Sequence, residues 1–109
     1  MATAFTMEQD FYLARLRHAG LTPILPDVTS RARIHHIIYD ELCRNRIRDD
    51  SRMQFEAIAA DLALQGADSL ILGCTEIGML LNTTNVPVPV FDSTLIHCET
   101  ALDLALSDA

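Results

Sequence analysis

The chain has 109 residues and a formal net charge of −7, from 8 basic and 15 acidic residues. This length is typical of one small domain, and the acidic balance disfavours a nucleic-acid partner, because binding a phosphate backbone requires clustered basic residues. All 8 basic residues are arginine, so the chain lacks the lysine that a pyridoxal-phosphate enzyme or a Walker A loop requires. We therefore predict a single domain over residues 1–109 that contains neither a pyridoxal-phosphate site nor a Walker A phosphate-binding loop.

The sequence also disfavours a membrane or secreted protein. No apolar run approaches the roughly 20 residues that span a bilayer, and residues 1–5 lack the basic segment of a signal peptide. The 3 cysteines are odd in number and widely spaced, which favours neither a disulfide framework nor a zinc site. We expect reduced thiols in the cytoplasm, no membrane partner and no bound metal.

Two elements are predicted in the first quarter of the chain. Thr6 and Gln9 have the spacing of a capping box, so a helix should begin there, and Gly20 supplies its end. The apolar run over residues 21–25 predicts a short strand that Pro26 closes.

Two amphipathic helices are predicted next. Apolar residues recur at helical spacing over about residues 29–43, and again from residue 50 or 51 to Gly66, with a loop at residues 45–49 between them. The predicted buried stripes are Ile34, Ile37, Ile38 and Leu42 in the first helix, and Phe55, Ile58, Ala59 and Leu62 in the second.

The rest of the chain alternates strands and helices. Residues 69–72 are typical of a buried parallel strand, and residues 77–81 predict a short helix. A strand over residues 86–91 contains two prolines, which favour a sheet edge, and an amphipathic helix over residues 93–107 follows. This alternation predicts an α/β fold with a mostly parallel sheet flanked by helices. The chain opens on a helix, where such a fold normally opens on a strand.

Cys74 is the strongest candidate for a functional residue. It follows the strand at residues 69–72, and parallel α/β sheets bind ligands beyond the carboxyl ends of their strands. Its place before a predicted helix favours the thiolate, because unpaired backbone N–H groups stabilise negative charge. Gly73 would allow a sharp turn and a close substrate. Thr75 would offer a hydroxyl and an N–H to a carboxylate, and Glu76 would accept a hydrogen bond from an ammonium group.

The other candidate residues have ordinary interpretations. Cys43 and Cys98 fall within predicted helices and are expected to be small buried residues. His97 follows Asp92 at the start of the last helix. Capping and packing are favoured there over direct catalysis, and an indirect role of both residues beside the site stays open.

The motif Gly-Cys-Thr-Glu-Ile at residues 73–77 resembles the C-terminal half of the aspartate/glutamate racemase family. The likeness is greatest to the broad-specificity amino-acid racemases of bacteria. Glutamate racemases usually have histidine after the cysteine–threonine pair, so Glu76 indicates the aspartate racemase branch. The resemblance covers nearly the whole chain, through residues 6–12, 31–34, 37–38, 41–43, 66–67, 90–93 and 96–97.

The resemblance implies two pseudo-symmetric α/β domains, each of which contributes one cysteine to a cleft between them, without a cofactor. One thiolate removes the α-proton of an amino acid, and the other thiol returns a proton to the opposite face. Cys74 matches the second of these cysteines, and Thr75 and Glu76 match residues that hold the amino-acid head group.

The resemblance further implies that residues 1–109 are one partial domain, without its first strand and without the first catalytic cysteine. We expect the chain to be inactive alone, and to self-associate or to pair with the missing N-terminal half. Two alternatives stay open. One is a related two-cysteine isomerase of the hydantoin racemase or maleate isomerase type, and the other is a non-catalytic remnant that serves as an oligomerisation module.

Overall fold

A computed structural model describes residues 1–107, in which helices surround a small parallel sheet. The helices are α1 (Ala4–Glu8), α2 (Asp10–His18), α3 (Val28–Asp40), α4 (Asp49–Leu64) and α5 (Ser93–Leu106). The strands are β1 (Leu70–Leu72) and β2 (Val90–Asp92), and short 3-10 turns occur at Leu42–Arg44 and Ile77–Met79. β1 pairs with β2 in parallel, with Ile71 opposite Phe91. The predicted fold class is confirmed.

The core lies between α3, α4 and the sheet. α3 begins at Asp27, whose carboxylate accepts a hydrogen bond from the N–H of Ser30 at 2.8 Å. This cap satisfies one N–H of the first turn, and it also lowers the pKa of Asp27. Every residue of the two predicted stripes is buried: Ile34, Ile37, Ile38 and Leu42 around α3, and Phe55, Ile58, Ala59 and Leu62 on α4.

The first helical stretch differs from the prediction. α1 begins at Ala4, so Thr6 lies inside the helix and the predicted capping box is wrong. The backbone at Gln9 is extended, with φ −91° and ψ 144°, and it separates α1 from α2. The N–H of Ala4 is donated to Nδ1 of His35 on α3 at 3.0 Å, so a residue distant in sequence caps α1. Gly20 ends the stretch with φ +87°, as predicted.

Residues 1–3 lie along one edge of β1. The amino group of Met1 donates to the carbonyl of Ile71 at 2.7 Å, and the N–H of Gly73 donates to the carbonyl of Met1 at 2.8 Å. Leu70, by contrast, donates its N–H to Pro89 on the β2 side. One residue bonded to both neighbours of its partner is the pattern of a parallel ladder. Residues 1–3 therefore have the position of the end of a third strand, whereas the resemblance implied that the strand before the first helix is missing from the chain.

Three other elements are shorter than predicted or not formed. Residues 21–25 are not a strand in the described part of the chain, although the run is apolar. The predicted helix over residues 77–81 is a 3-10 turn, and β2 begins only at Val90 because the prolines before it have no N–H to donate. Within residues 1–107, no helix has both the length and the apolar composition needed to cross a bilayer.

Candidate active site

Cys74 lies just beyond the carboxyl end of β1. Its side chain is half-buried and packs against the edge of the core. The Sγ atom accepts a hydrogen bond from the backbone N–H of Thr3 at 3.3 Å. This backbone bond holds the sulfur in one position beside residues 1–3. The sulfur thus has a fixed donor at the place where α/β sheets bind ligands.

The element after Cys74 differs from the predicted helix. Residues 77–79 form a single 3-10 turn, which aligns few peptide dipoles. The N–H of Thr3 is held in place because residues 1–3 pair with β1. Sequence reasoning missed Thr3, because the contact joins positions 71 residues apart and no local pattern reports it.

Gly73 has a packing role that was not predicted. A Cβ atom at this position would lie 3.0 Å from the Cβ of Ala2 and 3.4 Å from the carbonyl oxygen of Met1. The φ of Gly73 is not positive, so a left-handed backbone is not the reason for glycine here, and the predicted sharp turn stays a prediction. The glycine is needed because residues 1–3 approach β1 closely. Its predicted contact with substrate stays a prediction.

Thr75 and Glu76 follow in the turn beyond β1. Thr75 is exposed and Glu76 is half-buried, so both side chains are accessible at the same end of the strand as Cys74. A hydroxyl and a carboxylate beside a sulfur are suited to binding the two charged ends of an amino acid, and this assignment stays a prediction.

The structure adds Cys43 to this end of the molecule. Cys43 is exposed in the turn after α3, so the expectation of a small buried residue is wrong. Its thiol pKa is raised, first by partial removal from water and then by the negative charges of Glu76 and Cys74. The effect of these two charges on the pKa of Cys43 indicates that the three side chains lie near one another. Cys98 is also exposed, contrary to expectation, on α5.

Asp92 is the cap of α5. Its carboxylate accepts hydrogen bonds from the N–H groups of Thr94 at 3.0 Å and Leu95 at 3.3 Å. The other carboxylate oxygen faces Gly78, where a Cβ atom would lie 3.1 Å away. Capping, which the sequence favoured for this region, is therefore the observed role of Asp92, and the carboxylate also lies beside the turn that follows Cys74.

The start of α5 is attached to the site end of β1. The hydroxyl of Ser93 donates to the carbonyl of Leu72 at 2.7 Å. His97, one turn later, is exposed, and its indirect role stays a prediction. Within residues 1–107, no three His, Cys, Asp or Glu side chains are grouped so that they could hold a metal ion.

Comparison with known proteins identifies the family. The family model for Asp/Glu/hydantoin racemases matches residues 1–101. The chain belongs to this family. It is similar to the crystal structure of a candidate Asp/Glu racemase from Yersinia pestis, with a TM-score of 0.92 and 44% identity. It is also similar to that of an aspartate racemase homologue from Pyrococcus horikoshii OT3, with a TM-score of 0.87 and 30% identity.

The chain spans about half the length of these two family members. Each comparison covers 98% of this chain and 47% of the other. The chain exposes a large apolar surface around α5. The exposed large residues there are Phe91, Leu95, Ile96, Leu102, Leu104 and Leu106. A patch of this kind usually marks an interaction surface.

Proposed function

We propose that this chain is the C-terminal half of a cofactor-independent amino-acid racemase, with Cys74 as one of two catalytic thiols. The observation that supports this best is the 3.3 Å hydrogen bond from the N–H of Thr3 to the Sγ of Cys74, at the end of β1. The thiolate is the form that can remove a proton, and the N–H of Thr3 would be its hydrogen-bond donor. Membership of the racemase family supplies the reaction class.

In the proposed reaction, the thiolate of Cys74 takes the proton from the α-carbon of an amino acid. The electron pair of the broken C–H bond is delocalised into the substrate carboxylate. A thiol on the opposite face then donates its proton to the same carbon, which inverts the configuration and leaves that second sulfur as the thiolate. Acid and base must therefore stand on opposite faces of the substrate. We assign the second thiol to the N-terminal half, and expect the isolated chain to be inactive.

The proposed substrate is a free amino acid of the aspartate type. The exposed Thr75 would donate its N–H and hydroxyl to the α-carboxylate, and Glu76 would accept hydrogen bonds from the ammonium group. Gly73 leaves room for the substrate backbone beside the sulfur. We propose Asp92 and His97 as indirect contributors, through the turn beyond β1 and the first turn of α5.

The proposed partners follow from the same surfaces. The exposed apolar residues of α5 favour pairing with the N-terminal half or with a second copy of the chain. The acidic charge of −7 argues against nucleic acid. We propose a cytoplasmic enzyme, because the free thiols need a reducing compartment, without metal or cofactor and without a membrane partner.

Thiol labelling tests the activated sulfur in the chain as it is. Cys43 and Cys98 are exposed, whereas Cys74 is half-buried and therefore the least accessible of the three thiols. Accessibility alone thus predicts that Cys74 reacts most slowly with iodoacetamide. The proposal predicts instead that Cys74 reacts fastest at neutral pH, followed by Cys98. Cys43 should be slowest because its thiol pKa is raised. Cys74 reacting no faster than Cys98 would argue against an activated site.

A matched pair of variants isolates the hydrogen bond to the sulfur. The backbone φ of Thr3 is −65°, which proline adopts without strain. Thr3→Pro removes the N–H that Cys74 accepts, whereas Thr3→Ala keeps it. Labelling of Cys74 should slow in Thr3→Pro and stay unchanged in Thr3→Ala. Equal labelling rates of Cys74 in the two variants would contradict the proposed role of this N–H.

Racemisation itself is tested by joining the N-terminal half of the Yersinia pestis relative ahead of Met1. The fused protein should exchange the α-proton of aspartate in deuterated water, followed by NMR, whereas the chain alone should not. Cys74→Ser should lower the exchange rate of the fused protein roughly 100-fold or more. Cys98→Ser, on the exposed face of α5, should leave it unchanged. A fused Cys74→Ser protein with the full rate would refute the assignment.

A second candidate function is binding without catalysis, as an oligomerisation module. The exposed apolar surface of α5 favours it, because that surface suits association whether or not the site works. The fused protein separates the two functions when assayed with aspartate, glutamate, a hydantoin and maleate. A folded but inactive fusion supports the module, and turnover of hydantoin or maleate alone supports the related isomerases.

A further inference from the structure

We infer that His35 on α3 is a positioning residue for Cys74. Its imidazole holds the backbone of residues 3–4 in the arrangement that directs an N–H at the sulfur. The effect passes through Thr3 and Ala4, whose N–H groups bond to different side chains. The inference rests on the proposed function, because it takes the sulfur of Cys74 as the reacting atom, but its tests do not use racemase activity.

Two neighbouring N–H groups at the start of α1 bond to side chains from distant parts of the chain. The N–H of Thr3 donates to the Sγ of Cys74 at 3.3 Å, and the N–H of Ala4 donates to Nδ1 of His35 at 3.0 Å. Peptide units are planar, so only the φ and ψ of Thr3, −65° and 161°, separate the two N–H directions. A rotation at Thr3 that frees one N–H therefore redirects the other.

α1 is too short to hold this backbone by itself. It has five residues, and the side chain of Thr3 makes no cap hydrogen bond. A single helical turn is unstable alone, because several residues are fixed for one hydrogen bond. The pairing with β1 involves Met1, so the backbone beyond it needs another attachment. The imidazole of His35 supplies that attachment and replaces the missing cap.

The imidazole is itself held by α3. Its ring packs on the ring of Tyr39, one turn later, with the centroids 4.7 Å apart. The residue before it, Ile34, is buried, so α3 is anchored in the core at this point. A backbone N–H can only donate, so Nδ1 is the unprotonated nitrogen and the proton of the neutral ring lies on Nε2. His35 is thus a well-held acceptor in one tautomer.

The adjacent histidine has the opposite surroundings. Nδ1 of His36 lies 2.6 Å from a carboxylate oxygen of Asp40, and 70% of the His36 side chain is exposed. Nδ1 faces an acceptor in His36, whereas it faces a donor in His35. His36 is therefore a matched control, because it lies on the same helix and contacts Asp40 instead of residues 3–4.

Protonation offers a reversible way to remove the acceptor. A protonated imidazole has no acceptor nitrogen, and histidine is the side chain that ordinarily changes charge between pH 5 and 8. The titratable groups around this contact are Arg31 and Tyr39 on α3, Glu8 on α1 and Cys74 beyond β1. Arg31 and Glu8 pair with each other at 3.4 Å. Acidification should therefore break the bond between His35 and Ala4.

Three variants test the inference in the chain as it is. His35→Asn keeps an acceptor oxygen near the place of Nδ1, His35→Phe keeps a ring against Tyr39 without an acceptor, and His36→Phe is the control. The measurements are solvent exchange of the Ala4 amide by NMR and labelling of Cys74 by iodoacetamide at neutral pH. The sequence neighbours of Ala4 are unchanged in every variant, so its intrinsic exchange rate is the same.

The expected results separate the acceptor from the ring. His35→Phe should quicken exchange of the Ala4 amide roughly tenfold or more and slow labelling of Cys74 about threefold or more. His35→Asn should keep both rates close to those of the unchanged chain, and His36→Phe should affect neither. On acidification from about pH 7 to about pH 5, Ala4 should exchange faster in the unchanged chain than in His35→Asn. This last comparison decides the matter if His35→Phe does not fold.

Three outcomes would overturn the inference. Exchange of Ala4 that neither His35→Phe nor acidification quickens would show that the imidazole does not hold this backbone. Labelling slowed as much by His35→Asn as by His35→Phe would show that the acceptor is not what matters. Faster exchange without slower labelling would separate the backbone contact from the sulfur. The order of labelling among the three thiols of the unchanged chain tests the proposed function, so the two failures are distinguishable.

Discussion

α4 and α5 are helices of similar length with opposite surroundings. α4 buries Ser51, Phe55, Ile58, Ala59 and Leu62 against α3 and the sheet, whereas no described residue of α5 is buried. The difference does not come from composition, because α5 is rich in leucine and carries only two acidic residues, Glu99 and Asp103. An apolar helix that buries nothing within the chain has a surface suited to a partner.

The comparison shows that a helix can form and still bury none of its side chains against the rest of its own chain. α5 has a well-formed N-terminus, because Asp92 caps it and Ser93 ties it to Leu72. Local bonds therefore hold it in place, and its apolar side chains contribute little to the stability of this chain. In α4 the apolar side chains contribute most of the stabilisation.

The largest effect is expected from a matched leucine pair on the two helices. Leu62 on α4 is 3% exposed and Leu102 on α5 is 57% exposed. Leu62→Ala should lower the free energy of unfolding by about 2–5 kcal/mol, and Leu102→Ala should change it by less than about 0.5 kcal/mol. Urea denaturation measures both. Similar losses would show that α5 is packed in solution, and would break the comparison.

The pH dependence of stability tests a third region, the sheet edge, which lies away from both helices. There the buried amino group of Met1 lowers the free energy of unfolding when it carries its charge. The amino group of Met1 has a folded-state pKa of about 6 against 8.0 when free, so between these values the unfolded chain binds more protons. Stability should therefore rise from pH 6 to pH 8, by about 2–3 kcal/mol. Urea midpoints measured across this range test it. An Nα-acetylated chain should lose this dependence, and an unchanged slope after acetylation would contradict the assignment.

The smallest effect is expected at the cap of α5. Asp92→Ala removes the acceptor for the N–H groups of Thr94 and Leu95 and should cost about 1 kcal/mol. Asp92→Asn keeps an acceptor oxygen and should cost less. Because α5 is weakly packed, hydrogen exchange should quicken in α5 and stay unchanged in α4. Faster exchange in both helices after Asp92→Ala would mean that the two unfold together.

The part of the fold that the sequence predicted well is the part held by local periodicity. The stripes of α3 and α4 follow from apolar residues three and four positions apart, and all of them are buried. The end of the first helical stretch at Gly20 also depends only on its own φ. These features need no knowledge of distant residues.

Most of the features that sequence reasoning missed depend on distant partners. Residues 21–25 have strand composition, but a strand forms only beside a neighbour. The N–H that Cys74 accepts comes from Thr3, and the acceptor that caps α1 comes from His35. Cys43 looked like a buried helix residue, but α3 ends at Asp40 and the turn that follows leaves its side chain exposed. The position of Cys74 at a strand end could be predicted, but its hydrogen-bond partner could not.

The burial of the Met1 amine decides how the protein can be handled in the laboratory. An affinity tag or a cleavage scar attached at that amine would replace a buried charged group beside β1 by an amide, so it would change the stability of the protein. Purified samples that differ only in their leftover N-terminal residues should therefore not be treated as equivalent.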